Sequence, residues 1–221
     1  MSKLLTVLIP TFNNYSLFLK VADIYKTDPR VTVIVSDDSS DKYQMSNIKS
    51  ECIKNKFLYY EGPKSSPPNN WNFLMGHINT PYFVLNHHDE YPSNLKFIDL
   101  LASRKNGLIV LPCSSFSKKK GLHKLNSWQQ FIFSKICIKF PNPTLNLILG
   151  PTACLVVNSK IKKNLFDNNL KWFVDAEWYY KLFLNARRIN LSVKFFSETT
   201  IISVQAKNSI TFSLKNSLKE Q

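Results

Sequence analysis

The 221-residue sequence is poor in glycine and contains no long apolar run. Its 5 glycines accompany 11 prolines, so we expect no long flexible linker. No apolar run approaches the ~20 residues that a membrane-spanning helix needs. The opening segment "MSKLLTVLIPTF" reaches its proline too early for a secretory signal, and no small-residue cleavage site follows. These absences predict a cytoplasmic protein with one domain and a sizeable core.

Cysteine and acidic residues are also scarce. The 4 cysteines are widely spaced without a Cys-x-x-Cys pair, which argues against a disulfide scaffold or a zinc finger. The 15 acidic residues are outnumbered by 29 Lys and Arg, and the net charge is +14. Such a charge favours polyanions, anionic lipid headgroups or phosphorylated substrates, without selecting among them.

Apolar segments and helical patterns alternate through the first 90 residues. Four segments have the pattern of buried strands: "KLLTVLIP", "VTVIVS", "KFLYYEG" and "PYFVLN". The first intervening helix is predicted from Leu17, Val21 and Ile24, with Asn13 or Asn14 as its cap. The second begins near Asp41, and the third, "PNNWNFLMGHI", carries Trp71 on its core face. This alternation indicates a mostly parallel sheet covered by helices.

The second half of the chain is less regular. Helices are predicted for "NLKFIDLLASR", for "LNSWQQFIFSKICIKF" and for "WFVDAEWYYKLFLNARR". Strands are predicted for "GLIVLPC", "LSVKFFS" and "TTIISVQ", a turn and strand for "ILGPTACLVVNS", and a basic loop for "SSFSKKKG". A polar tail completes the sequence.

Three predicted strands end in polar segments, "PTFNN", "SDDSSD" and "NHHDE". Ligands of parallel sheets bind beyond the carboxyl ends of the strands. Together with the late segment "VDAEWYYKL", these motifs resemble the family-2 glycosyltransferases of the GT-A fold, and the resemblance runs from about residue 4 to about residue 188. It implies a Rossmann-type, mixed, mostly parallel α/β sheet flanked by helices in a single domain.

The resemblance also implies an activity and a division of the chain. The activity is inverting transfer of a sugar from a nucleotide-diphosphate sugar, with UDP favoured, to a hydroxyl of a glycan or lipid-linked acceptor. Relatives of this type act in bacterial lipopolysaccharide or capsule synthesis. Residues 1–92 would bind the nucleotide sugar, residues 93–210 would form the acceptor side, and residues 211–221 would be a polar tail.

The first two motifs correspond to the nucleoside site of the family. The positions so assigned are Pro10, Thr11, Phe12, Asn13, Asp37 and Asp38. Asp38, with Asp37 beside it, would accept charge-assisted hydrogen bonds from the base and the ribose. Capping of the following helix is an alternative role for this acidic stretch, and we favour it for Asp41.

The metal motif departs from the family pattern, because "NHHDE" stands where Asp-x-Asp is usual. We expect Asp89 as the principal ligand of Mn²⁺ or Mg²⁺, with Glu90 or His88 assisting. An imidazole ligand would favour Mn²⁺. Two alternatives stay open: His87 and His88 only line the acceptor side or pack under the loop, or transfer proceeds without metal and Lys or Arg hold the diphosphate.

Two carboxylates in the late motif are candidates for the general base. Asp175 matches the family's late carboxylate and is preferred, and Glu177 is the second candidate. Both would also suit the first turn of a helix, where acidic residues are favourable. The acceptor side is assigned to Gly150, Pro151, Thr152 and Trp178. Gln205, Lys207 and Asn208 are candidates for a segment that closes over the diphosphate.

Other functions are compatible with parts of the sequence. Residues 116–140 have the composition of an amphipathic helix on an anionic membrane, which would place the protein peripherally on the inner face of the plasma membrane. An amphipathic core helix explains the same pattern. A basic nucleic-acid-binding module fits the charge but not the acidic strand ends, so we do not favour it. The altered metal motif would also suit a degenerate transferase that acts as a binding subunit.

Overall fold

The structure, a computed structural model, describes most of the chain. The described residues are 2–102, 106–117, 121–124, 131–132, 135–136, 139–140, 142, 149–170 and 173–204. The segment predicted as an amphipathic helix, residues 125–140, therefore lies largely outside the described residues, as do Gln205, Lys207 and Asn208.

Eleven strands and five α-helices are formed by the described residues. The strands are β1 (Leu5–Thr11), β2 (Val31–Asp37), β3 (Leu58–Glu61), β4 (Tyr82–Leu85), β5 (Glu90–Pro92), β6 (Asn106–Val110), β7 (Cys113–Ser117), β8 (Gly121–Lys124), β9 (Leu155–Asn158), β10 (Ser192–Phe195) and β11 (Ile201–Val204). The helices are α1 (Tyr15–Tyr25), α2 (Lys42–Lys54), α3 (Pro67–Met75), α4 (Phe97–Leu101) and α5 (Val174–Arg188), and short 3-10 helices cover Thr152–Cys154 and Ser159–Ile161.

Seven strands form the central sheet in the order β10-β6-β9-β4-β1-β2-β3. All neighbouring pairs are parallel except those made by β9, which runs antiparallel to both β4 and β6. The mixed, mostly parallel sheet flanked by helices is therefore confirmed. Because β9 comes late in the chain and lies beside β4, it joins the two halves of the sequence in one sheet.

Apolar side chains pack on both faces of this sheet. In β1, Leu5, Val7 and Ile9 belong to one core cluster with helix α1, whereas Leu8 belongs to the opposite cluster with Trp71 and α5. Burial on both faces explains why the strand sequences are continuously apolar rather than alternating. Trp71 is buried, as expected for a core residue.

Helix α1 is present as predicted, but its buried face is shifted. The buried residues are Phe18, Val21, Ala22 and Tyr25, whereas Leu17 and Ile24 are only half-buried. The cap is Asn14, whose side chain accepts a hydrogen bond from the Leu17 amide at 3.2 Å. The shift by one residue follows from Tyr25, whose ring is buried and whose hydroxyl reaches across to Asn86.

A second, four-stranded sheet has the order β5-β11-β7-β8. The predicted basic loop "SSFSKKKG" is wrong in its first part, because the segment up to Ser117 is strand β7, which pairs with both β11 and β8. Strand β5 follows directly on the "NHHDE" segment, and β11 pairs with it in antiparallel fashion. Within the described residues, no helix has the length and apolarity needed to cross a bilayer.

Candidate functional site

The polar ends of β1, β2 and β4 lie side by side at one edge of the central sheet. Thr11 and Asp37 are register partners at the ends of β1 and β2, and the Asp38 amide donates to the Thr11 carbonyl at 3.0 Å. The Asn86 amide, just after β4, donates to the carbonyl of Leu8 in β1 at 2.9 Å. The loops that follow the three strands are thus neighbours, which is the arrangement that forms ligand sites in parallel sheets.

Asn13 connects the loop after β1 with the loop after β2. Its side-chain oxygen accepts hydrogen bonds from the amides of Ser40 and Asp41, both at 3.0 Å, and its backbone has a left-handed φ of 47°. Asp41 caps α2 by accepting from the Tyr43 and Gln44 amides, as expected. Asn13, which the sequence assigned to the nucleoside, has its amide oxygen occupied in fixing the loops.

The two adjacent carboxylates Asp37 and Asp38 have different environments. Asp37 is fully buried and accepts hydrogen bonds from the Ser39 amide at 2.9 Å and the Tyr59 hydroxyl at 3.2 Å. Asp38 is half-buried; its Oδ1 accepts from the Lys64 amide at 2.8 Å, while burial raises the pKa of the carboxyl. Asp38 is therefore the carboxylate within reach of a ligand, and Asp37 shapes the loop.

Gly62 provides the space for the Asp38 side chain. A Cβ at position 62 would lie 2.2 Å from Asp38 Oδ1, which is closer than any tolerated contact. Any side chain at this position would displace the carboxylate from its place over the end of β3. Glycine is thus required here for a close approach rather than for an unusual backbone angle.

Residues 86–90 form a tight loop between β4 and β5. Asn86 is fully buried, and its side-chain amide donates to the carbonyl of Glu90 at 2.5 Å and to that of His87 at 2.9 Å. Its Oδ1 accepts from the Tyr25 hydroxyl at 2.9 Å. One buried amide thus holds both ends of the loop and connects it to α1.

His87, Asp89 and Glu90 are the residues of this loop that could hold a metal ion together. Each has one ligand atom within 4.8 Å of the others. His88, expected as an assisting ligand, is outside the group, because its Nδ1 lies 3.4 Å from the Pro10 carbonyl. Both histidines follow β4 rather than lie in it, so the loop conformation and not strand alternation decides which ring joins the carboxylates.

Glu90 is occupied by contacts inside the protein. Its Oε1 lies 3.3 Å from His87 Nδ1, and its Oε2 accepts from the amides of His87 and Ala153, both at 3.4 Å. The His87 ring also packs against the indole of Trp71, with ring centroids 4.9 Å apart. A carboxylate on one ring nitrogen orients the imidazole and leaves the other nitrogen to bind a ligand, as is usual around metal-binding histidines.

Several buried polar atoms at this edge have no hydrogen-bond partner among the described residues. They are Thr11 Oγ1, Ser36 Oγ, Asn70 Oδ1, His87 Nε2, Thr152 Oγ1, Asp175 Oδ1 and Glu177 Oε2, and we call them the open polar atoms. Buried polar atoms are almost always paired in folded proteins. Their concentration in strand ends, loops and the start of α5 indicates a place where a polar ligand completes the bonding.

Asp175 and Glu177 lie in the first turn of α5, as expected, but they differ in their surroundings. Glu177 forms an ion pair with Lys181 at 2.7 Å one turn later. Burial raises the pKa of Asp175 to about 6, although the charge of His87 opposes this shift. Phe173, just before the helix, has a left-handed φ of 59°, which is uncommon for a large side chain.

His87 and Asp175 are close enough that each changes the pKa of the other. Burial alone would lower the pKa of His87, but Glu90 and, more weakly, Asp175 and Asp89 raise it to about 9. The loop after β4 and the start of α5 therefore meet at one site, although they are far apart in sequence.

The turn at residues 150–152 lies beside this loop. Gly150 has a φ of 94°, and the Tyr179 hydroxyl donates to the carbonyls of Gly150 at 3.2 Å and Pro151 at 2.5 Å. The Ala153 amide that contacts Glu90 belongs to the 3-10 helix that follows.

Trp178 does not share this environment: its indole is fully buried, stacks on Phe166 and donates to the Asn164 carbonyl at 2.8 Å. Its expected place on the acceptor side is not supported.

The donor set suits a divalent cation. A carboxylate from Asp89 and the open Nε2 of His87 are ligands that Mn²⁺ accepts, and Glu90 supplies the outer contact. From the sequence, His87 is expected to line the acceptor side or to pack under the loop, and no role is predicted for Asn86, Tyr25 or the Ala153 amide. The one local signal for a role of His87 is Glu90, the acidic residue three positions later in the sequence.

No protein-family model and no curated protein matches the chain. Solved structures do resemble it. S. aureus TarS 1–349 in complex with UDP-GlcNAc has a TM-score of 0.71 and 14% identity, over 94% of this chain and 60% of that one. Another structure of S. aureus TarS has a TM-score of 0.69 and 14% identity, over 92% of this chain and 37% of that one.

The mannosyltransferase PcManGT from Pyrobaculum calidifontis, in complex with GDP-Man and Mn²⁺, has a TM-score of 0.61 and 13% identity, over 95% of this chain and 59% of that one. The chain thus spans between 37% and 60% of the length of these three structures. At such low identity the likeness concerns the fold, which is the GT-A fold that the sequence predicts.

Proposed function

We propose that this protein is an inverting glycosyltransferase that moves a sugar from a nucleotide-diphosphate sugar, with UDP favoured, to a hydroxyl of a glycan or lipid-linked acceptor. The observation that carries the proposal is the group of open polar atoms at the carboxyl edge of a GT-A sheet. The bound nucleotide sugars in the similar structures support it. Membership of family 2, a role in bacterial lipopolysaccharide or capsule synthesis and a cytoplasmic location are further parts of the proposal.

Asp175 is the proposed general base. The acceptor hydroxyl attacks the anomeric carbon while Asp175 takes its proton, and the bond from that carbon to the diphosphate oxygen breaks with its electrons leaving on the diphosphate. Inversion follows from attack opposite the leaving group. A carboxyl with a pKa of about 6 is ionised at neutral pH yet is a stronger base than an ordinary aspartate.

The nucleoside is proposed to bind along the first two loops. Asp38 accepts from the base or the ribose, and the backbone of Pro10, Thr11 and Phe12 lines the approach. Phe12 is an exposed aromatic at this edge, which suits contact with a base or sugar face. Asp37 and Asn13 hold the loops in place through the hydrogen bonds described above.

Asp89 and His87 would hold a divalent cation, Mn²⁺ in preference to Mg²⁺ because of the imidazole. Such an ion offsets the negative charge that develops on the departing diphosphate. Glu90 keeps the imidazole oriented through Nδ1. On the acceptor side, Gly150, Pro151 and Thr152 are proposed to line the approach of the hydroxyl, with Thr152 Oγ1 open to it.

The donor test is a thermal-shift screen of nucleotide sugars with and without Mn²⁺. A ligand present at 100 times its dissociation constant stabilises the native state by about 2.7 kcal/mol, which raises the melting temperature by several degrees. We expect a UDP-sugar with Mn²⁺ to give the largest shift. A protein that no nucleotide sugar stabilises would contradict the proposal, and one that binds without transferring or hydrolysing would be a degenerate binding subunit.

The nucleoside assignment has its own variants. Asp38→Ala should weaken UDP binding in calorimetry by about tenfold or more, because it removes a charge-assisted hydrogen bond. Gly62→Ala should have a similar effect through displacement of the Asp38 carboxylate. The matched control is Gly76→Ala, where the added Cβ meets the Phe73 carbonyl at 3.3 Å. Equal affinity in all three variants would remove Asp38 from the site.

A further inference from the structure

The acidic residues are unevenly distributed along the sequence. No Asp or Glu occurs between Asp99 and Asp167, although that stretch contains 11 Lys and Arg residues. A second acid-free stretch runs from Glu177 to Glu198 and contains 4 more. Lys181 pairs with Glu177 at the start of the second stretch, but the cations of both stretches outnumber the carboxylates at their ends. Where the two stretches meet in space, positive charge therefore predominates.

The two stretches meet at the C-terminal end of α5. The Arg187 guanidinium donates to the Lys139 carbonyl at 3.4 Å. The ring of Phe131 packs edge-on against that of Phe195 in β10, with centroids 5.5 Å apart. The described residues between 131 and 140 thus lie against the end of α5 and the edge strand of the central sheet, far along α5 from Asp175.

Large apolar side chains are exposed on the two elements that meet here. Their exposed fractions are 37% for Ile136, 62% for Phe140, 41% for Leu184 and 47% for Ile189. Lys139 lies 5.5 Å from the centre of the exposed Phe140 ring, and Lys135 lies 4.3 Å from that of the half-buried Phe131. Long cationic side chains flanking exposed apolar groups are typical of proteins that enter the interface of a bilayer.

A cavity opens between the two stretches. Its volume is about 390 Å³, and it is lined by Lys139, Phe183, Arg187, Asn190, Leu191, Ser192 and Val193. Two cations and two neutral hydrogen-bonding side chains make its polar lining, and none of its described lining residues is a carboxylate. The size and the charge of the cavity suit a phosphate-bearing headgroup.

We propose that this face docks on a bilayer of anionic phospholipid. We call it the docking face and define it by Ile136, Lys139, Phe140, Leu184, Arg187, Arg188 and Ile189. The positive charges attract the headgroups, the apolar side chains enter the boundary with the acyl chains, and the cavity takes one headgroup. A nucleic acid would satisfy the charges but would leave the apolar side chains in water, which is why a bilayer is the better partner.

The decisive experiment is sedimentation with vesicles of phosphatidylcholine alone or with added phosphatidylglycerol. We expect binding only to the anionic vesicles, with a loss of affinity at high salt. Each basic residue near such a surface contributes about fivefold in affinity. The double variant Arg187→Glu and Arg188→Glu should therefore bind at least about 20-fold more weakly. Phe140→Ser, which empties no core, should lower binding about tenfold.

The matched control is the double variant Lys20→Glu and Lys42→Glu, two exposed cations on α1 and α2 with the same total change in charge. It should bind nearly as the wild type does, because its charges lie outside the docking face. Far-ultraviolet circular dichroism melts check that every variant is folded. The measurement needs no sugar transfer, so its result does not depend on the proposed activity.

Three results would overturn the proposal. One is a wild-type protein that stays in solution with anionic vesicles. Another is equal loss of binding in the two double variants, which would indicate net charge rather than a face. The third is a combination of two results: Phe140→Ser binds vesicles as the wild type does, and added RNA displaces the protein from the vesicles. This would indicate a surface for polyanions in general.

Discussion

At the scale of single residues, the site combines a half-buried aspartate, Asp175, with a half-buried histidine, His87, and the pKa values of both are raised. Burial raises the pKa of Asp175 to about 6, while Glu90 and its neighbours bring that of His87 to about 9 despite burial. In the metal-free protein at neutral pH both groups are therefore charged, and each stabilises the charge of the other; a metal ion bound at Nε2 would displace the imidazolium proton. Two consequences can be measured.

The first concerns activity. A base must be ionised, so kcat/KM should rise with pH through a midpoint near 6, the pKa of Asp175. Asp175→Asn should lose at least about 100-fold in rate while nucleotide binding persists, since a general base contributes ~10²–10⁴-fold. Glu177→Gln is the control, and its kcat/KM should still rise with pH through a midpoint near 6. If the kcat/KM of Asp175→Asn shows the same rise, another residue is the base.

The second concerns stability of the metal-free protein. The pKa of His87 is raised from an ordinary 6.5 to about 9 in the folded state. Protonated His87 therefore contributes up to about 3 kcal/mol to the free energy of unfolding. This contribution is fully present below pH 6.5 and is lost as pH rises through 9. Urea unfolding at pH 6 and at pH 9.5 should show this difference in wild type and not in His87→Asn. If the free energies of unfolding of wild type and His87→Asn differ by the same amount at both pH values, His87 is neutral in the folded protein.

At the scale of elements, the loop at residues 86–90, the proposed metal site, is held by elements distant in sequence. Helix α1 contributes the hydroxyl of Tyr25, β4 leads into Asn86, and the 3-10 helix before β9 presents the Ala153 amide to Glu90. None of these groups would contact substrate. They determine the loop conformation and, through it, the direction of the His87 ring.

Tyr25→Phe tests this support. Loss of the hydroxyl leaves the buried Asn86 Oδ1 without its donor, which should destabilise the protein by about 1–3 kcal/mol. It should also weaken Mn²⁺-dependent nucleotide binding more than metal-free nucleotide binding. The control is Tyr43→Phe, an exposed tyrosine on α2. Equal losses with and without Mn²⁺ would make Tyr25 a stability residue only.

At the scale of the whole molecule, the strand order joins the two halves that the sequence suggests. Strand β9, from the second half, lies between β4 and β6 and pairs with both. Arg30 further bridges Asp28 and Asp99, so the turn before β2 is tied to α4. Within residues 1–92, β4 therefore needs the later strand β9 as its neighbour, and β5 needs β11.

We accordingly expect a single cooperative unfolding transition for the full chain. The calorimetric and van't Hoff enthalpies should agree, as they do for one domain that unfolds as a unit. The fragment 1–92 should not show a cooperative melt, because one edge of β4 and the face that packs on α5 would be uncovered. Two resolved transitions in the full chain would mean that the halves are separate domains.

The sequence by itself determined the alternation of strands and helices, the mostly parallel sheet, the cap at Asp41 and the three polar strand ends, and it narrowed the cap of α1 to Asn13 or Asn14. These features depend on the local period of apolar residues and on helix-start signals, which are legible in any short segment. The resemblance to GT-A enzymes added the late carboxylate Asp175.

The tertiary structure alone decided which of two adjacent groups serves the site. His87 rather than His88 joins Asp89, because Glu90, Trp71 and the Ala153 amide hold the first ring and Pro10 holds the second. In the same way Tyr59 and Ser39 occupy Asp37, Lys181 pairs with Glu177, and Phe166 buries Trp178. Lys181 and Glu90 are near their partners in the sequence, but Tyr59, Trp71, Phe166, Pro10 and the Ala153 amide are distant. Their contacts exist only once the chain has packed, so local patterns alone could not distinguish each residue from its neighbour.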